Sequence, residues 1–218
     1  MTDLDQELID KFNKPMIIGA DECGYGALAG ILTICAVKAP SGWNLDGLND
    51  SKKLSAKKRE IMRDQLLKLA EQGVIQYAIA SRSNVEIDAS GVASALRSCY
   101  AEVYKKLYDP DCLLIADGNL KFDELAAEGY TVESVIKADA KFPTVMAASI
   151  IGKVFRDEIM HQLHNTYPNY GWDHNVGYGA QDHLEAIKMY GPCPLHRMSY
   201  APMKNMKIVN PKQLILKL

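Results

Sequence analysis

The sequence predicts an α/β protein with a five-stranded mixed sheet flanked by helices and a small helical appendage at the C-terminal end. The first two apolar, strand-like runs are joined by a tight glycine turn, which is typical of antiparallel neighbours. Later runs of the same kind alternate with helical periodicity, which indicates parallel pairing. Three strands run out into acidic residues, so the predicted sheet carries charge at one edge.

The first half of the chain predicts an antiparallel series of strands. Gly24 and Gly26 lie in the turn between the first two strands, where they allow the main chain to reverse. Ser55 is a typical helix N-cap and Gly73 a typical C-terminal stop. The predicted elements are strands at 16–21, 28–37 and 74–80 and a helix at 56–72.

The second half alternates helices and strands. The helical pattern that begins at residue 84 is interrupted near Ser90–Gly91, and an aromatic and glycine-rich loop covers 165–180. The predicted elements are a helical region at 84–108, strands at 112–117 and 132–136, and helices at 143–164 and 181–190. We expect an N-terminal arm (1–14), a main domain (15–164) and a C-terminal segment (165–218) that completes the binding face.

Composition narrows the class of protein. The 218 residues are 48% hydrophobic and 24% charged, which is typical of a folded globular chain. No apolar run reaches the roughly 18 residues that a membrane span needs, and the acidic N-terminus does not resemble a secretory signal. The five cysteines are scattered without a C-x-x-C pair, which argues against a disulfide framework or zinc knuckle. We therefore predict a cytoplasmic protein.

Four acidic residues are the main candidates for chemistry. Asp21 and Glu22 lie at the end of the first strand, Asp117 ends a later strand, and Asp139 follows the last one. If these strand ends share one edge, the carboxylates repel each other and require raised pKa values or a bound cation. An all-oxygen ligand set favours Mg²⁺ or Mn²⁺ over zinc. Two such ions about 3.5–4 Å apart could support phosphoryl displacement. The alternative for the first pair is a solvated acidic turn.

Positive charge is concentrated in two places although the formal net charge is -2. The stretch from Lys52 to Lys68 contains seven basic and two acidic residues, and the stretch from Arg197 to Leu218 contains five basic residues and no acid. Localised positive charge of this kind is typical of a surface that binds a polyanion. A solvated helix face is the alternative explanation.

Several motifs, taken together, resemble the type 2 ribonucleases H (ribonuclease HII). They are Asp-Glu-x-Gly-x-Gly at 21–26, Leu-Asn-Asp-Ser-Lys-Lys-Leu-Ser at 48–55, Ala-Asp-Gly at 116–118, Lys-Ala-Asp-Ala-Lys at 137–141, Ala-Ala-Ser-Ile-Ile-Gly-Lys-Val-x-Arg-Asp at 147–157, Gly-Tyr-Gly at 177–179 and His-Arg-x-Ser-Tyr at 196–200. Each motif alone is weak, but their common order is specific. The resemblance covers nearly the whole chain from Ile17 to Pro202.

The resemblance implies an activity and a set of site residues. It implies a ribonuclease H-like fold and an endonuclease that cuts the RNA strand of RNA/DNA hybrids, and also 5′ of single ribonucleotides in duplex DNA, leaving 3′-hydroxyl and 5′-phosphate ends. Asp21, Glu22, Asp117 and Asp139 would be catalytic and would bind two Mg²⁺ or Mn²⁺ ions. The substrate-binding positions would be Gly24, Tyr25, Gly26, Ser51, Lys52, Lys53 and Tyr178. We predict a monomer without a protein partner.

The chain departs from the family pattern at the first glycine turn. Tyr25 stands where the family usually has arginine, so a charge-assisted contact to phosphate is lost. Asn175 and Ala180, near Tyr178, replace the more usual lysine and threonine. We therefore expect hybrid cleavage to persist with altered discrimination at a single ribonucleotide. Two alternatives are a related two-metal nuclease with another substrate and a nucleic-acid-binding protein that has lost catalysis.

Overall fold

The computed structural model describes residues 7–8 and 11–208 and contains one five-stranded sheet. The strands lie in the order β3-β2-β1-β4-β5. Their bounds are β1 Met16–Cys23, β2 Leu32–Pro40, β3 Gln76–Arg82, β4 Cys112–Asp117 and β5 Val132–Val135. Strand β1 is antiparallel to β2 and parallel to β4, and β4 is parallel to β5. The predicted α/β fold with a mixed sheet is confirmed.

Six helices of four residues or more lie within the described residues. Their bounds are α1 Ala56–Glu71, α2 Asn84–Ser90, α3 Val92–Leu107, α4 Asp123–Ala127, α5 Pro143–His164 and α6 Gln181–Tyr190. The Ser55 side chain accepts a hydrogen bond from the Lys58 backbone N–H, which confirms its role as the N-cap of α1. Gly91 separates α2 from α3, as predicted.

Glycine permits a close approach between the central strand and helix α5. A Cβ atom at Gly19 would lie 2.4 Å from Thr144 Oγ1 and 2.5 Å from the Val145 backbone nitrogen. There is no room for a Cβ atom at these distances, so only glycine can occupy position 19. Because the first turn of α5 packs directly on β1 at Gly19, the apolar residues around Ile17, Leu113 and Val145 are fully enclosed.

Three predicted boundaries are wrong in an informative way. Strand β1 extends through Cys23 rather than ending at residue 21, so Glu22 lies inside the strand as well as Asp21. Strand β2 begins at Leu32 instead of residue 28, because residues 24–31 form a longer connection. Strand β3 covers Gln76–Arg82 instead of the predicted residues 74–80. The short helix α4 and the 3₁₀ turns Ser51–Lys53 and Ala138–Ala140 are absent from the prediction, since such brief elements carry too little periodicity.

The chain divides into two compact units made of interleaved segments. The sheet unit comprises Met1–Cys23, Thr33–Ala80 and Arg97–Val154, and the C-terminal unit comprises Gly24–Leu32, Ser81–Leu96 and Phe155–Leu218. The C-terminal unit has its own core, in which Tyr170, Trp172 and Met203 are fully buried. The predicted division at residue 164 does not coincide with these segments and stays a prediction.

Helix α5 is the longest described helix, but it is not apolar enough to cross a bilayer. The same holds for every other helix within residues 7–8 and 11–208.

Candidate active site

Strand β1 delivers the first two acidic residues of the site. Alternation along the strand points Asp21 and Glu22 to opposite faces, and Asp21 is only 9% exposed. Asp21 Oδ1 accepts a hydrogen bond of 2.9 Å from the Glu22 backbone N–H, and its carboxylate is also hydrogen-bonded to the side chain of Ser149. On the other face, the Tyr100 hydroxyl donates to Glu22 Oε2 over 3.0 Å. Both carboxylates are therefore held by named donors.

The other two acids are joined by a backbone turn. Asp117 is the last residue of β4, and its Oδ1 accepts a 2.6 Å hydrogen bond from the Ala138 backbone N–H. The backbone N–H of Asp139 also donates to Asp117. Lys137 has a φ of 60°, a left-handed conformation that turns the chain sharply after β5. The turn leaves Asp139 buried and next to Asp117.

The four carboxylates are brought together closely enough to affect one another electrostatically. Burial, followed by the nearby charges of Glu22, Asp117 and Asp139, raises the pKa of Asp21 to about 7, although the Ser149 hydrogen bond opposes the shift. Burial also raises the pKa of Glu22, and the charge of Asp117 adds to this effect. The pKa of Asp117 is raised by burial and by the charge of Asp139. Mutual repulsion of this kind is what a cation relieves.

Lys52 partly balances this negative charge. Its Nζ lies 2.7 Å from Asp139 Oδ2, and the hydrogen bond raises the pKa of Lys52 above its usual value. The Lys52 side chain is 75% exposed, so it reaches the buried carboxylate from solvent. Asp50 caps the 3₁₀ turn by accepting from the Lys52 backbone N–H. The predicted phosphate contact of Lys52 stays a prediction; in this arrangement its ammonium group pairs with Asp139.

The other two residues predicted in the Ser51–Lys53 loop differ from each other. Ser51 is buried, and its hydroxyl lies 2.8 Å from the Ser149 hydroxyl, which in turn is hydrogen-bonded to Asp21. The Ser51 side chain therefore supports the acidic site from within, and its predicted contact with phosphate stays a prediction. Lys53 is exposed to solvent, and its contact with phosphate stays a prediction.

The carboxylates fit a divalent cation in the kind of atoms they offer. All four residues supply oxygen, the ligand that Mg²⁺ and Mn²⁺ prefer. As arranged, no three His, Cys, Asp or Glu side chains within the described part of the chain converge tightly enough to hold an ion. Lys52 and the backbone N–H groups of the 138–139 turn occupy oxygen atoms of Asp139 and Asp117. In this arrangement the Lys52 ammonium group occupies one of the two carboxylate oxygens of Asp139.

The predicted substrate-binding residues around Gly24 lie in the C-terminal unit. The Gly24 backbone N–H donates to the Tyr178 hydroxyl over 3.0 Å, so this donor, which we expected to be available to substrate, is occupied. Gly24 has a φ of 89°, and a Cβ atom there would lie 2.2 Å from Arg156 Nε. Tyr25 and Gly26 are exposed. Tyr178 is half-buried, with the Arg156 guanidinium 5.2 Å from its ring centre.

Two buried arginines shape the connection between β1 and β2. Arg156 donates to the carbonyls of Ile31, Ala29 and Val176. Arg197 donates to the carbonyls of Gly30 and Tyr25. Both side chains are fully buried. Guanidinium groups can brace several carbonyls at once because they carry five donors in a fixed plane.

Sequence reasoning did not single out these arginines, Ser149 or Tyr100 as part of the site. Arg156 and Arg197 do occur in the quoted motifs, so the motifs were a usable signal for them. Tyr100 lies 78 residues from Glu22 in the chain, and no local pattern indicates that contact.

Comparisons with known proteins agree with the motifs. A family model described as Ribonuclease HII matches residues 18–203. A ribonuclease HII of Macrococcus caseolyticus is 39% identical over 197 residues, which make up 90% of this chain and 70% of that protein. A ribonuclease HII of Helicobacter pylori is 37% identical over 203 residues, 91% of this chain and 97% of that protein.

A solved structure, the PCNA:RNase HII complex from Archaeoglobus fulgidus, is also similar. It has a TM-score of 0.69 and 27% sequence identity, and the match covers 85% of this chain and 95% of that one.

Proposed function

The chain belongs to the ribonuclease HII family of metal-dependent hydrolases that act on the RNA of RNA/DNA hybrids, and we propose that Asp21, Glu22, Asp117 and Asp139 are its catalytic centre. The observation that carries this proposal is the grouping of the four carboxylates: burial, with the added charges of Glu22, Asp117 and Asp139, raises the pKa of Asp21 to about 7. Repelling carboxylates destabilise a cation-free protein, and groups whose pKa values are shifted in this way are concentrated at functional sites. The fitting function is cation-assisted hydrolysis of a phosphodiester.

Three of the four carboxylates have supporting groups that fix their orientation. Ser149 and the Glu22 backbone hold Asp21, Tyr100 holds Glu22, and the turn at 138–139 holds Asp117. Two Mg²⁺ or Mn²⁺ ions, when held by these oxygens, supply the Lewis acidity for an in-line displacement that leaves 3′-hydroxyl and 5′-phosphate ends. Preorganised carboxylates reduce the cost of assembling such a site.

Lys52 has a place in this mechanism because of its exposed position. On release from Asp139, its ammonium group can turn to a phosphate of the RNA strand, where a charge-assisted hydrogen bond is favourable. Lys53, next to it and exposed, adds positive charge along the same loop. Lysine is well suited to such an exchange because its stem is flexible and its charge is not directional.

The turn at Gly24, Tyr25 and Gly26, together with Tyr178, would select the ribonucleotide. The Gly24–Tyr178 hydrogen bond holds the aromatic ring against the turn, where it can test a sugar for its 2′-hydroxyl. Tyr25 is exposed but carries no charge, so it binds a phosphate more weakly than arginine would. Cleavage at single ribonucleotides is therefore proposed to be present with reduced preference.

The experiment compares two substrates under three metal conditions. A long RNA/DNA hybrid and a DNA duplex with one ribonucleotide are incubated with Mg²⁺, Mn²⁺ or chelator, and the product ends are mapped. We expect metal-dependent cuts in the RNA of both substrates, with 3′-hydroxyl and 5′-phosphate ends. Salt-sensitive binding without cleavage of either substrate would instead identify a nucleic-acid-binding protein.

We also propose that the protein is a cytoplasmic monomer without a protein partner. The relative from Archaeoglobus fulgidus has been solved as a complex with PCNA, which concerns that protein. Gln213 and Leu216 resemble part of a sliding-clamp peptide but lack its aromatic pair, and both lie outside the described residues. Sedimentation of the full chain alone and with a sliding clamp tests this proposal, and a shift to a larger complex would contradict it.

A further inference from the structure

Two buried histidines of the C-terminal unit form a continuous hydrogen-bonded chain that ends on Tyr178. The Cys193 backbone N–H donates to His196 Nδ1 over 3.0 Å, and His196 Nε2 lies 3.1 Å from His183 Nε2. Trp172 Nε1 donates to the same His183 nitrogen over 3.1 Å. His183 Nδ1 lies 2.8 Å from the Tyr178 carbonyl oxygen. Both imidazoles are fully buried.

One arrangement of protons satisfies every contact in this chain. The Cys193 N–H can only donate, so His196 Nδ1 accepts and the proton of this neutral ring is on Nε2. The indole N–H of Trp172 can only donate as well, so His183 Nε2 accepts and its proton is on Nδ1. His183 therefore donates to the Tyr178 carbonyl. Burial, together with the neighbouring His183, lowers the pKa of His196 to about 3, and burial lowers the pKa of His183, which keeps both rings neutral.

The segment that His183 holds is strained. Val176 has a φ of 43°, a left-handed conformation that is unfavourable for a β-branched residue. Such a conformation persists only where neighbouring contacts determine it. The Asn175 side chain accepts from the Gly177 N–H, and Arg156 donates to the Val176 carbonyl. His183 holds the carbonyl of Tyr178, two residues further along the chain.

Tyr178 is thus held at both of its ends. Its carbonyl accepts from His183, and its hydroxyl accepts from the Gly24 N–H, while the Arg156 guanidinium lies near its ring. The hydrogen bond from His183 therefore helps to set the position of the Tyr178 ring relative to the glycine turn.

We propose that His183 is a positioning residue for substrate choice: by donating from Nδ1 to the Tyr178 carbonyl, it fixes the tyrosine that tests the sugar at the cleavage site. This proposal rests on the proposed function of Tyr178. A purely structural role in the aromatic core is the alternative, since His183 also packs against Tyr170 and Trp172.

Two substitutions at the same position separate these roles. The amide nitrogen of asparagine can occupy the place of Nδ1, so His183→Asn retains the donor to Tyr178. The amide of glutamine reaches the place of Nε2, so His183→Gln retains an acceptor for Trp172 and loses that donor. Both changes put an amide into the same core and differ in which ring contact they keep, so a role confined to the Trp172 contact would affect His183→Asn rather than His183→Gln. His161→Gln, at an exposed position of α5, is the control for the loss of an imidazole.

The measurement is the ratio of kcat/KM for the single-ribonucleotide duplex to kcat/KM for the long hybrid, with kcat and KM separated for each. We expect the ratio to fall about fivefold or more in His183→Gln, the size of one net hydrogen bond. In His183→Asn and His161→Gln the ratio should stay close to that of the parent chain. Equal ratios in the two His183 variants would overturn the proposal.

A second measurement needs no variant and does not depend on activity. The ¹⁵N shifts of the imidazoles in the full chain report which ring nitrogen carries the proton. We expect His183 in the Nδ1–H form and His196 in the Nε2–H form from about pH 6 to 8, where neutral histidine persists because of burial. An Nε2–H tautomer at His183 would overturn the proposal even if both variants failed to fold. If the parent chain cut neither substrate while the tautomers were as expected, the proposed function would fail and the hydrogen-bonded chain would stand.

Discussion

At the scale of single residues, Asp21 combines burial with repulsion from three neighbouring carboxylates. Its pKa of about 7 lies well above the value of 3.8 that applies in an unfolded chain. Between these two values the folded protein binds the proton that the unfolded chain releases. The stability of the cation-free protein is therefore full below about pH 4, falls as the pH rises through 7, and stays reduced above it.

Replacing Asp21 should therefore stabilise the cation-free protein while abolishing cleavage. In chelator at pH 8 we expect Asp21→Asn to raise the free energy of unfolding by roughly 2–4 kcal/mol, because it removes a buried charge that the fold opposes. Near pH 4 the difference should vanish, since the carboxyl of the parent chain is then protonated. Urea unfolding at both pH values measures this, with the exposed Glu60→Gln as control. A variant less stable than the parent at pH 8 would contradict the assignment of the repulsion to Asp21.

Tyr25 carries the clearest departure from the family pattern. Its side chain is 43% exposed, so a longer side chain can be placed there without rearranging the core. Its carbonyl, held by Arg197 and Tyr200, keeps the turn in place whatever the side chain is.

We predict that Tyr25→Arg increases the preference for single-ribonucleotide duplex over long hybrid by roughly tenfold or more. A charge-assisted hydrogen bond of about 1.5–3 kcal/mol to a phosphate would account for that increase. Tyr25→Lys restores the charge without the planar fork and should recover only part of the effect. The readout is the kcat/KM ratio of the two substrates. If that ratio is the same in the parent and in Tyr25→Arg, the residue at 25 does not set the preference.

At the scale of elements, the site depends on the close packing of α5 on β1. Helix α5 contributes Ser149 to the support of Asp21, and its first turn is seated against Gly19. The contact between the first turn of α5 and Gly19 sets the distance of Ser149 from the strand.

Gly19→Ala tests this packing. The added methyl would lie 2.4–2.7 Å from atoms of Thr144 and from the Val145 backbone, so the helix must move away from the strand. We expect a loss of about 1–3 kcal/mol in the free energy of unfolding. Cleavage should also slow, because Ser149 moves with the helix. Thermal unfolding and hybrid cleavage measure the two effects. Gly26→Ala, where a Cβ atom meets nothing within 4 Å, is the stability control. Equal stability of the two variants would exclude this account of α5.

The elements also show how much of the site local sequence patterns could predict. Alternation and strand-end acids were sufficient to bring β1, β4 and β5 to one edge, because parallel neighbours end together. The Ser149, Tyr100 and Lys52 contacts were not predictable in this way, since each joins segments far apart in the chain. The occupied Gly24 donor belongs to the same class of long-range contact.

At the scale of the whole molecule, the two compact units carry different parts of the proposed function. All four carboxylates, with Ser149, Tyr100 and Lys52, belong to the sheet unit, whereas the glycine turn, Tyr178 and the histidine pair belong to the C-terminal unit. Each set is held by contacts within its own unit. Variants at His183 or Tyr25 should therefore change substrate preference, and variants at Asp21 should change catalysis itself.

The central claim is that four carboxylates from distant parts of the chain form one site that binds divalent cations. Its most direct test is the Mn²⁺ affinity of the full chain, measured by electron paramagnetic resonance of free Mn²⁺ with and without RNA/DNA hybrid. We predict that Asp117→Asn and Asp139→Asn each weaken Mn²⁺ binding about tenfold or more, as expected for the loss of a charged oxygen ligand. Unchanged Mn²⁺ affinity in either variant would contradict the claim.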